Sequence, residues 1–123
     1  DLVVLAGFLK KFPTTPEWAN RIINIHPALL PKYGGKGMYG SKVHNAVIEA
    51  NETQSGATIH FVNDDYDDGK LISQIVVPIS QGETSEKLAA NVFKAECQLL
   101  PITVSNLLSK KWPRDDKIEV IYI

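Results

Sequence analysis

The sequence predicts an α/β fold, a mainly parallel sheet continued by antiparallel strands. Residues 1–9, DLVVLAGFL, open with the unbroken apolar run of a strand buried on both faces, as in the centre of parallel sheets. Residues 56–63, GATIHFVN, and 70–79, KLISQIVVPI, alternate and are rich in β-branched side chains, so they pair as antiparallel neighbours across the carboxylate-dense turn DDYDDG. Residues 84–110 carry apolar side chains at helical spacing over a stretch too long for a strand.

A strand buried on both faces needs a neighbour on each edge, and the chain after residue 9 offers few. The expectation is one domain, residues 1–123, that forms the second part of a larger α/β unit. In KKFPTTPEWANR, Thr15 can cap a short helix with Pro16 in its first turn. RIINI, 21–25, reads as the next strand, and 27–40, with Pro27, Pro31 and Gly34, Gly35, Gly37 and Gly40, as a long irregular loop. Loops of that length in compact domains are usually functional.

Residues 41–51 place Val43, Ala46, Val47 and Ala50 on one helical face, with His44 expected on the exposed side. In the long helix, Thr84 or Ser85 is the cap, Leu88, Val92, Ala95, Leu99, Ile102 and Leu107 form the buried stripe, and Pro101 should kink it. KIEVIYI, 117–123, should make an edge strand.

Charge and cysteine usage narrow the function. With 13 Lys and Arg against 14 Asp and Glu, the chain has no basic surplus for a nucleic-acid partner. A small, near-neutral partner fits better. The single cysteine, Cys97, excludes an internal disulfide framework and is expected as a packed thiol beside Val92, Phe93 and Leu100 in a reducing, cytoplasmic setting. No run approaches the roughly 18 apolar residues of a membrane span, and none reads as a signal peptide.

The stretch NIHPALLPKYGGKG, 24–37, concentrates the chemistry. Asn24 and His26 are two apart at a strand end, so both side chains point to one side, where open α/β sheets bind ligands. The imidazole can exchange protons near neutral pH and the carboxamide can donate to an oxygen that becomes negative. Pro27 and Pro31 hold the backbone that follows. Among Asp64, Asp65, Asp67 and Asp68, a calcium loop is disfavoured because the glycine and terminal glutamate of an EF-hand are missing. They form either a solvated turn or the partner of His26, and spacing does not choose which Asp. By itself, His60 reads as a half-buried strand residue. No nucleophile elbow, zinc-hydrolase motif or phosphate-binding glycine loop is present.

Taken together, NIHPALLPKYGG resembles the N-x-H-P-S-L-L-P signature of the formyltetrahydrofolate-dependent formyltransferases, and GATIHFVNDDYDDGKLISQ resembles their second signature, a strand followed by D-x-G and a strand ending in Gln. The resemblance runs from residue 1 to about Pro101 and implies a Rossmann-like formyltransferase fold without its N-terminal nucleotide-binding half. It implies transfer of a formyl group from 10-formyltetrahydrofolate, the co-substrate, to the amine of glycinamide ribonucleotide in purine synthesis, with no metal, while charge and hydropathy give the expectation of no nucleic-acid and no membrane partner. The family's catalytic residues fall on Asn24, His26 and Asp67. Leu9, Lys10, Lys11, Phe12, Val62, Asn63 and Asp64 match the folate-binding segments, Thr58 and His60 match positions lining the site, and Glu96 matches the residue that binds the ribose hydroxyls.

Departures from the pattern are a longer, glycine-rich loop at 33–42, Asp68 in place of a small residue, and Cys97 where the family usually has His. The absence of the phosphate grip implies that this chain alone turns over poorly. Water as formyl acceptor, as in a deformylase, a charged tRNA as acceptor, and an inactive folate-binding module are the competing readings. Glu96 disfavours the first and the balanced charge the second.

Overall fold

The computed structural model describes residues 2–6, 17, 21–62, 69–109 and 118–122. Five strands form one sheet in sequence order: β1 (Val3–Leu5), β2 (Ile22–His26), β3 (Gln54–Phe61), β4 (Leu71–Pro78) and β5 (Glu119–Tyr122). β1 runs parallel to β2, β3 and β4 are antiparallel to their predecessors, and β5 closes the far edge parallel to β4. The expected α/β class, the β3–β4 pairing and the edge strand are all present. The Thr15 cap lies outside the described residues.

β1 is less buried than its composition suggests. Val3 and Leu5 are half-buried and Val4 is 38% exposed, because among the described residues only β2 flanks this strand. β2 is the better-covered strand, with Ile22, Ile23 and Ile25 all buried. Branching at Cβ suits these residues to a pleated surface packed on its neighbours.

Alternation splits the sheet into two faces. Ile23, Ile25, Ala57, Ile59, Ile75 and Val77 share a core with Val43 and Val47 of helix α1 (Ser41–Glu49) and Leu88, Val92, Ala95 and Leu99 of helix α2 (Ser85–Leu108). At the edge of this core Ser73 and Thr103 share a buried hydrogen bond of 2.7 Å between their hydroxyls. Asn24, His26, Thr58, His60 and Gln74 occupy the opposite face, matched across the strands as Asn24–His60, His26–Thr58 and Thr58–Gln74.

Thr84 caps α2, its hydroxyl accepting from the Lys87 amide at 3.2 Å. The helix continues through Pro101, which has no N–H to return to the Cys97 carbonyl. Two expectations on this helix are corrected. The buried stripe passes from Leu99 to Thr103, four residues on, and leaves Ile102 44% exposed. Cys97 is exposed rather than packed, since it sits with Phe93 and Pro101 on the side turned away from that stripe. In α1 the expected exposed His44 is buried instead, next in sequence to core residue Val43.

Candidate active site

The loop after β2 is held from below by one hydroxyl. Thr58, fully buried on β3, donates to the Ala28 carbonyl at 2.7 Å and accepts from the Leu30 amide and the Gln74 side-chain amide, each at 3.0 Å. One donor and two lone pairs are thereby all used. Gln74 also donates to the Leu30 carbonyl at 3.0 Å. Thr58 therefore lies under the loop and fixes it, rather than lining an open surface. The Leu30–Pro31 peptide bond within this loop is cis.

His60 and Asn24 set each other's orientation. The His60 Nδ1 lies 2.9 Å from the Phe61 carbonyl, which can only accept, so this nitrogen carries the proton and Nε2 is the acceptor. Asn24 donates its side-chain N–H to that Nε2 at 3.4 Å. The half-buried Asn24 amide carries a second N–H besides the one given to His60. Gly69 protects this arrangement. A Cβ there would run into the same Phe61 carbonyl, which gives a physical reason for the glycine of the D-x-G motif.

His26 is buried and donates Nε2–H to the Tyr33 backbone carbonyl at 2.7 Å. Tyr33 has φ of 59°, an uncommon conformation for a bulky residue. His44 is the neighbouring ionisable ring. Burial, and secondarily the His26 charge, hold its pKa below the ordinary value, and its Nδ1 has no hydrogen-bond partner among the described residues.

Glu96 is half-buried on α2, where burial raises its carboxyl pKa to about 7. Of the expected site residues, the structure brings together Asn24, His26, Thr58 and His60 on one face. Val62 extends the β3 ladder, its amide donating to the Ile22 carbonyl at 2.9 Å. Leu9, Lys10, Lys11, Phe12, Asn63, Asp64 and Asp67 lie outside the described residues. Sequence reasoning assigned no role to Tyr33, Gln74 or the buried His44. Gln74 had a signal, as the Gln that ends the second signature, whereas Tyr33 acts through its backbone and leaves none.

Among the described residues, no cluster of three or more His, Cys, Asp or Glu could hold a metal ion, and no helix is long and apolar enough to cross a membrane. A family model described as formyl transferase matches residues 1–104. The chain is 45% identical over 125 aligned residues to the chloroplastic phosphoribosylglycinamide formyltransferase of Arabidopsis thaliana, covering 98% of this chain and 42% of that protein. The phosphoribosylglycinamide formyltransferase structure from Anaplasma phagocytophilum superposes with a TM-score of 0.87 at 30% identity, covering 100% of this chain and 62% of that one. A formyltetrahydrofolate deformylase from Pseudomonas syringae is less similar, with a TM-score of 0.71 at 26% identity and coverage of 87% of this chain and 34% of that one. The chain thus spans less than half the length of the plant relative it matches. With most of its length matched, and with the Asn24 and His26 signature on a sheet of the corresponding fold, the chain belongs to the formyl transferase family.

Proposed function

We propose that the intact protein transfers a formyl group from 10-formyltetrahydrofolate to the primary amine of glycinamide ribonucleotide, with Asn24, His26 and Asp67 as its catalytic residues. The observation that carries this reading is the fixed pair on β2: an Asn24 amide oriented by His60, and a His26 ring oriented by the Tyr33 carbonyl, on one face of the sheet. The amine nitrogen attacks the formyl carbon, and the carbonyl oxygen becomes an oxyanion that takes hydrogen bonds from Asn24 and protonated His26. Preorganised donors of this kind contribute about 3 kcal/mol each.

The bond from the formyl carbon to the folate nitrogen then breaks. The proton lost by the amine passes through water held by Asp67 to the departing nitrogen, giving the formylated amide and tetrahydrofolate. The folate ring lies against Leu9–Phe12 and Val62–Asp64, and Glu96 takes the ribose hydroxyls. A reducing compartment suits the exposed thiol of Cys97.

The test is formation of folate product by the intact protein with and without glycinamide ribonucleotide, alongside Asp67→Asn. Transfer that requires the amine and collapses in the variant supports the reading. Equal product without the amine would make water the acceptor and replace it with a deformylase.

A further inference from the structure

We propose that Glu52 is a positioning residue for His26, acting through Tyr33: the carboxylate anchors the tyrosine ring, and the tyrosine backbone carbonyl holds the His26 Nε2–H. The proposal rests on the reading of His26 as catalytic. Tyr33 Oη donates to Glu52 Oε1 at 3.3 Å, while its own carbonyl accepts from His26 at 2.7 Å. One residue thus bonds to Glu52 on one side and to His26 on the other.

The local backbone makes this anchor matter. Tyr33 adopts φ of 59°, which a bulky residue keeps only where its surroundings hold it. The residues that follow, Gly34, Gly35, Lys36 and Gly37, offer few side chains to do so, and Gly35 and Gly37 have φ of 100° and 85°. Glu52 stands on firmer ground. Its amide donates to the Val47 carbonyl of α1 at 3.4 Å, and the next carbonyl, of Thr53, accepts from Ile79 at 3.0 Å. The carboxylate therefore rises from the junction of α1 and β3 with little freedom to follow the loop.

Lys32 also reaches Glu52, at 3.7 Å, but its side chain is 69% exposed and its pull is weak. Burial and the Glu52 charge both raise the Tyr33 phenol pKa, which keeps it a neutral donor. If the anchor is lost, the Tyr33 peptide is free to leave its uphill conformation, and its carbonyl moves off His26. Because that carbonyl dipole favours the charged ring, its departure lowers the His26 titration midpoint. His44, the other ionisable ring coupled to His26, stays unchanged in every variant below.

The experiment compares Tyr33→Phe, Glu52→Ala, the double variant, Glu52→Gln and Lys32→Ala in the intact protein. The readouts are the His26 ring titration and Nε2–H resonance by NMR, with kcat and KM for formyl transfer. Tyr33→Phe and Glu52→Ala should each lower kcat about three- to ten-fold with KM little changed. Both should shift the His26 midpoint to lower pH. The double variant should be no worse than either single one, Glu52→Gln should restore most of the rate because it keeps an acceptor, and Lys32→Ala should match the parent.

An unchanged His26 resonance and midpoint in Tyr33→Phe, or additive losses in the double variant, overturns the proposal. Tyr33→Phe removes a single oxygen and decides the matter if Glu52→Ala does not fold. His26→Asn tests the underlying reading separately. Full activity in that variant would remove His26 from catalysis, while the NMR response would still show whether the Glu52 anchor operates.

Discussion

The two faces of this sheet use the same strands for opposite ends. On the helix-covered face, Ile59 of β3 shares a core with Leu, Val and Ala side chains of α2 and is fully buried. On the other face its chain neighbours Thr58 and His60 are just as buried, yet their side chains make polar, directed hydrogen bonds. Burial alone therefore does not separate core from site. The apolar face tolerates any shape that fills its volume, whereas the polar face works only when each donor finds its acceptor.

Breaking one face should cost activity, and breaking the other should cost stability. The largest effect is expected for Asn24→Ala, which removes one of the two proposed oxyanion donors and should reduce kcat by about 100- to 1000-fold. Its thermal midpoint should stay near the parent's; a large fall in stability would erase the distinction between the faces. Ile59→Ala is the converse. Chemical denaturation should show a loss of about 2–5 kcal/mol, with kcat per folded molecule little changed.

Thr58→Val sits between the two. The shape survives, but the Ala28 carbonyl, the Leu30 amide and the Gln74 amide each lose a partner, so stability should fall by about 1–3 kcal/mol and kcat with it. A fall in stability without any loss of rate would mean that the loop does not transmit its position to His26.

The smallest expected effect is the pH dependence of folding. His44 titrates below its ordinary 6.5 in the folded chain, so the unfolded chain binds its proton first and stability drops as pH falls below about 6.5. Glu96 acts with the opposite sign. Its folded pKa of about 7 exceeds the ordinary 4.5, so its contribution to stability declines as pH rises from 4.5 through 7. Each substitution should uncover the other group's slope: in His44→Gln urea midpoints should fall steadily as pH rises from 4.5 through 7, and in Glu96→Gln they should fall as pH drops below about 6.5. A slope unaltered by either substitution would assign it to other groups.

Much of the polar face was legible in advance. Asn24 and His26, two residues apart on a strand, must share a side, and GATIHFVN by alternation must carry Thr58 and His60 together. The role of Thr58 was not legible. A threonine in a strand reads as β-propensity, and only the Pro27–Leu30 backbone lying over it turns its hydroxyl into a three-way junction. Cys97 and Ile102 are exposed, against the helical pattern, for a related reason. A helical stripe has a width, and residues at its margin are buried or exposed according to where the sheet meets the helix.

The sequence by itself determined the order and type of the described strands and helices, a cap at Thr84 or Ser85 and the shared side of Asn24 and His26, since these follow from periodicity and from bonds a few residues long. Only the tertiary structure decided that His44 is buried beside His26, that a backbone carbonyl of Tyr33 holds the His26 imidazole, and that Glu52 stands behind it. The distinction is physical. Local spacing sets the direction a side chain takes, but its partner comes from a part of the chain that only folding brings near.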